Sequence, residues 1–109
     1  GTDGSLYVFE APIDMLSYIS MNPYQWQEHS YVACCGTSPI PVLQMLKLET
    51  QIVYLCLDND KAGHAASERM AELLRERDVM TERLVPELKD WNDDLHHAQK
   101  EELAPCLSL

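Results

Sequence analysis

At 109 residues the chain is long enough for one hydrophobic core and too short for two, so residues 1–109 read as a single domain. Eighteen acidic against eight basic residues leave a formal net charge of −10. That balance excludes binding nucleic acid through clustered Lys and Arg alone, and any such role needs a metal or basic neighbouring domains. No stretch has the length and apolarity of a membrane span, and no basic-then-apolar leader opens the chain.

The opening Gly1-Thr2-Asp3-Gly4-Ser5 lacks an initiator Met, and the domain is expected to be a fragment of a longer multidomain protein. Leu6 to Phe9 is a short apolar run that ends at Glu10. Ala11-Pro12 follows, with Pro at the first helical position. Ile13, Leu16 and Ile19 recur at helical spacing and predict the inward face of a helix through about Met21. Asn22-Pro23 stops it, and in the ambiguous segment from Tyr24 to His29 the indole of Trp26 is expected to lie over the core as a lid. Tyr31 to Cys35 reads as a second strand. After Gly36-Thr37, Ser38 as N-cap and Pro39 in the first turn predict a helix to about Leu48 that buries Val42, Leu43 and Leu46.

The third strand, Ile52 to Leu57, is apolar throughout, as a strand covered on both faces must be. It ends abruptly in Asp58-Asn59-Asp60. A helix from about Lys61 to Arg77 follows, with Ala62, Ala65, Ala66, Met70, Leu73 and Leu74 expected inward. Thr81 to Val85 gives a fourth strand closed by Pro86, and a last helix runs to about Leu103. Strands alternating with helices mean an α/β, Rossmann-like fold: a four-stranded parallel sheet with helices on both faces, for which the strand order 2-1-3-4 is assumed. Cys34, Cys35, Cys56 and Cys106 have no CxxC spacing and read as buried reduced thiols of a cytoplasmic protein.

Acids stand after three of the four strands: Glu10, the pair Asp58 and Asp60, and Asp90. Asp14 joins the first group, being one helical turn beyond Glu10. In the order 2-1-3-4, strands one and three are neighbours where the winding reverses, the place where open α/β sheets bind ligands. Carboxylates gathered there stay ionised only beside positive charge, and a hard cation with oxygen ligands, Mg²⁺ or Mn²⁺, supplies it. Taken alone, an Asp-x-Asp more often marks a turn residue followed by a helix N-cap.

The motifs Phe9-Glu10-Ala11-Pro12-Ile13-Asp14, Leu57-Asp58-Asn59-Asp60-Lys61-Ala62-Gly63 and Lys89-Asp90-Trp91-Asn92-Asp93, in this order, resemble the Toprim domain of DNA primases, topoisomerases and related nucleases. The nearest likeness is to primase-like Toprim domains of plasmids and conjugative elements of Gram-positive bacteria. Ala11 stands where many members carry Gly. The resemblance implies a metal-dependent catalytic domain for nucleotidyl transfer or for phosphodiester cleavage and rejoining, which meets DNA or nucleotides through neighbouring domains. It implies that Glu10 acts as general base or acid and converges with Asp58 and Asp60 on a shared metal ion, that Asp58 and Asp60 hold Mg²⁺, and that Asp14 and Asp90 complete a second metal position. Lys89 falls in the third motif, where it either contacts a phosphate or is a solvated loop lysine. Asn92 either orients Asp90 or caps the last helix, with the cap the favoured reading. Trp91 is expected to be a packing anchor, and His64, His96 and His97 to be surface residues. A non-catalytic, metal-binding interaction module is the competing reading. A phospho-acceptor receiver domain needs the reverse distribution of acids between strands one and three.

Overall fold

The computed structural model describes the backbone of residues 1–107 and the side chains as far as Glu101. Four strands, β1 (Ser5–Phe9), β2 (Ser30–Ala33), β3 (Ile52–Leu55) and β4 (Met80–Arg83), pair in parallel in the order β2-β1-β3-β4. Between and after them come α1 (Pro12–Met21), α2 (Ile40–Met45), α3 (Lys61–Arg75) and α4 (Trp91–Leu107). The chain therefore has the Rossmann-like α/β architecture that its alternating pattern predicts, and the assumed strand order 2-1-3-4 is the one found.

Alternation along the strands divides the side chains between two layers. Leu6, Val8, Val53 and Leu55 face α2 and α3, where Val42, Ala66, Met70 and Leu74 close the main core. On the opposite face Tyr31, Tyr7 and Tyr54 lie side by side across β2, β1 and β3, with ring centroids 5.6 and 4.6 Å apart. Phe9 and Tyr18 continue this layer, and Tyr18 meets the edge of Trp91 at 4.9 Å, locking α1 to α4.

That interlock sets the rotation of α1, and it corrects the expected helix face. Ile13 and Leu16 are 54% and 56% exposed, whereas Asp14 and Ser17 are buried. The helix turns its polar stripe and Tyr18 inward because the aromatic layer, rather than aliphatic packing, is what it meets. A smaller rotation applies to α3, whose inward residues are Gly63, Ala66, Ser67, Met70 and Leu74, with Ala62 and Ala65 exposed. The second helix stops at Met45, short of Leu48, because a turn closed by Thr50 N–H on Lys47 O and by Lys47 N–H on Thr50 Oγ1 takes over. Trp26 is no lid: it sits half-exposed in a 3₁₀ turn and its carbonyl accepts from the Tyr31 hydroxyl at 2.9 Å. Cys34 and Cys56 are buried thiols, but Cys35 is exposed in a left-handed turn (φ 55°). The side chain of Cys106, also read from the sequence, lies outside the described residues. Among the described residues no helix is long and apolar enough to cross a membrane.

Candidate metal centre

The winding reverses between β1 and β3, so the segments leaving their carboxyl ends lie side by side. Glu10 leaves β1, and its Oε1 accepts the backbone N–H of Asp58 at 3.4 Å. Asp14 is reached by one turn of α1, which begins directly after the Glu10-Ala11 link. Asp90 precedes α4 and caps it, accepting the Asp93 N–H on Oδ1 at 2.8 Å. The next amide, Asn92 N–H, donates to Asp14 Oδ1 at 3.3 Å. The positive end of α4 thus supports two carboxylates delivered by different elements.

Asp14, Asp58 and Asp90 each offer an oxygen, and the three oxygens lie within 4.8 Å of one another. Asp58 Oδ1 is the one buried side-chain polar atom without a hydrogen-bond partner among the described residues. Burial pushes Asp58 up to about 6, aided by the charges of Glu10, Asp90 and Asp60 and partly offset by Lys89. Burial likewise lifts Asp14 to about 6, with Asp90, Asp58 and Asp93 adding repulsion against the Asn92 hydrogen bond. Glu10 is raised as well, by burial first and then by Asp60 and Asp14.

Of the acids singled out in the sequence, the structure gathers Asp14, Asp58 and Asp90 into one triad, with Glu10 against the Asp58 backbone. Asp60 lies outside the triad with its Oδ1 engaged: it caps α3 by accepting Gly63 N–H at 2.7 Å. Lys89 is exposed, and its carbonyl accepts Asn59 N–H at 2.7 Å, tying the two loops of the site together. Asn92 is not the cap of α4; Asp90 is, and Asn92 supports Asp14 instead. Trp91 is a packing anchor whose indole N–H donates to Cys56 O at 2.9 Å. His64, His96 and His97 are exposed, and His97 pairs with Glu101 at 3.2 Å.

Two residues of the site carried no assigned role in the sequence. A Cβ on Gly63 would lie 2.1 Å from Asp58 O, so only glycine lets α3 start this close to the Asp58 turn. The signal was present, since glycine inside a helix costs about 1 kcal/mol against alanine and implies a close approach. Arg83, at the end of β4, is the other; its guanidinium lies against the same turn. A lone cation inside the expected strand Thr81 to Val85 was the signal for it.

A set of carboxylate oxygens, one of them buried and unpaired, suits a hard divalent cation. Three acids so placed repel one another at neutral pH, and a bound cation reverses that repulsion. Residues 7–95 match the model of a family described as Toprim-like. Comparison with curated proteins returns no match.

Proposed function

The chain belongs to the Toprim-like family, and from that premise we propose that it is the Mg²⁺- or Mn²⁺-dependent catalytic domain of a DNA-processing protein. The reaction class is phosphoryl transfer, either primase-like nucleotidyl transfer or phosphodiester cleavage and rejoining, in a protein of the mobile-element type. The observation that carries this reading is the convergence of Asp14, Asp58 and Asp90, with Asp58 Oδ1 buried and unpaired.

In this reading Asp14, Asp58 and Asp90 hold the cation, with Asp60 outside the triad as the cap of α3. When bound, Mg²⁺ polarises a phosphoryl oxygen and aligns the reacting groups. Glu10 stands against the Asp58 backbone with its proton affinity raised by burial, the direction that suits a group that takes or returns a proton. Its backbone partner Asp58 N–H holds it in place. The exposed Lys89 ammonium supplies positive charge at the mouth of the site, where a phosphate approaches. The net charge of −10 leaves grip on the polymer to neighbouring domains.

Titration calorimetry with Mn²⁺ tests the centre. Single changes Asp14→Asn, Asp58→Asn and Asp90→Asn should each weaken binding at least ~10-fold, as loss of a carboxylate ligand does. Unchanged affinity in all three would remove the metal reading. In the full-length protein, Glu10→Gln should abolish DNA synthesis or cleavage without loss of fold; retained activity would leave a non-catalytic metal-binding module.

A further inference from the structure

We infer that Arg83 is the positioning residue of the acidic centre, pinning the turn that carries Asp58 to the loop that carries Asp90. The inference rests on the reading of that centre as a cation site. Pairing of β3 ends at Leu55, yet the backbone runs on through Leu57 to Asp58 before α3 begins. Arg83 covers this gap. Its Nη1 lies 3.1 Å from Leu55 O, 2.7 Å from Leu57 O and 3.0 Å from Leu84 O, its protons shared among them. Its Nη2 donates to Asp58 O at 2.9 Å. One planar fork therefore holds β4, the end of β3 and the first residue of the turn in a fixed relation.

The same fork extends towards Asp90. Nη2 faces His64 Nδ1 at 3.3 Å, which makes Nδ1 the acceptor and leaves the ring proton on Nε2. Nε2 then donates to Asn59 Oδ1 at 3.1 Å. Asn59 in turn donates through Nδ2 to Pro86 O at 3.1 Å and through its backbone to Lys89 O at 2.7 Å. Asn59 adjoins Asp58, and Lys89 adjoins Asp90. Arg83, His64 and Asn59 thus set the separation of two of the three carboxylates while touching none of them, and the guanidinium occupies backbone carbonyls rather than the place a cation would take. An ammonium cannot reproduce this, since its donors radiate from one point instead of lying along a plane.

The test compares the wild-type domain with Arg83→Met, Arg83→Lys and Asn59→Ala, each checked for cooperative unfolding. Two quantities are read: Mn²⁺ affinity by calorimetry and, without metal, the exchange rate of the Asn59 amide by NMR. Arg83→Met should weaken Mn²⁺ about 10–100-fold, the usual cost of losing a group that orients metal ligands. It should also speed Asn59 exchange by about tenfold or more, because the bond to Lys89 O opens locally. Arg83→Lys should rescue little of either. Asn59→Ala, which disturbs no buried packing, should move affinity in the same direction and serves if Arg83→Met does not fold. Folded variants with unchanged Asn59 exchange, or with faster exchange but unchanged Mn²⁺ affinity, would overturn the role. If the wild type itself takes up no Mn²⁺, the cation reading falls, while the metal-free exchange rates still decide whether Arg83 holds the two loops together.

Discussion

At Asp58 one carboxylate oxygen is buried without a donor, and Glu10, Asp60 and Asp90 all press negative charge on it. Burial and this repulsion raise both Asp58 and Asp14 from the ordinary 3.8 to about 6. The consequence for stability has a definite sign. Between those two pH values the folded protein keeps protons that the unfolded chain has released, so the contribution is full below about pH 4 and is lost as pH rises through about 6. Asp58→Asn, which has no proton to lose, should therefore unfold at a higher temperature than the wild type at pH 7.5 in EDTA. The gain should be of the order of 1 kcal/mol after allowing for solvent around a half-exposed carboxylate, and should vanish near pH 4. A wild type that gains stability relative to Asp58→Asn as pH rises from 4 to 7.5 would contradict the assigned environment. Cation affinity should move the opposite way, falling below about pH 6 because protons then compete for the same oxygens.

Helix starts do most of the work of aiming these residues. α3 begins under the Asp58 carbonyl because Gly63 has no side chain, and Asp60 holds that first turn by capping it. Gly63→Ala should cost about 1–3 kcal/mol in urea unfolding, the range for a forced overlap, and should weaken Mn²⁺ as Asp58 shifts. The neighbouring exposed change Ala65→Gly should cost about 1 kcal/mol through helix propensity and leave Mn²⁺ affinity alone. Equal effects of the two on affinity would mean that the close approach at Gly63 does not position the site. α1 depends on its aromatic contact in the same way: Tyr18 against Phe9 and Trp91 turns Asp14 inward and leaves Ile13 and Leu16 in solvent.

Across the whole molecule the net charge of −10 opposes compaction, and the opposition is greatest where the acids converge. In EDTA the unfolding temperature should rise between about 0.01 and 0.15 M NaCl, as the screening length falls from about 30 to about 8 Å. Mn²⁺ at about a hundred times its dissociation constant should add roughly 2.7 kcal/mol more at the same ionic strength. If NaCl at matched ionic strength does as much as Mn²⁺, the convergence is only a charged surface. The parallel sheet and the acids at its carboxyl edge could be read from the chain itself, because apolar runs, caps and the alternation of strand with helix are local rules. The order 2-1-3-4 was an assumption that only the pairing of the strands settled. Leu6 to Phe9, Ile52 to Leu57 and the acids after them obey those rules with little interference from elsewhere. Local rules do not say which stripe of a mixed helix faces inward, and so Ile13 and Leu16 misled where Tyr18 decided. Nor do they measure distances across the sheet edge. Only the packing of α1, α4 and the β3–α3 turn brought Asp14 and Asp90 to Asp58, left Asp60 capping a helix, and set Arg83 beneath them, because each of those placements depends on residues far apart in the chain meeting in space.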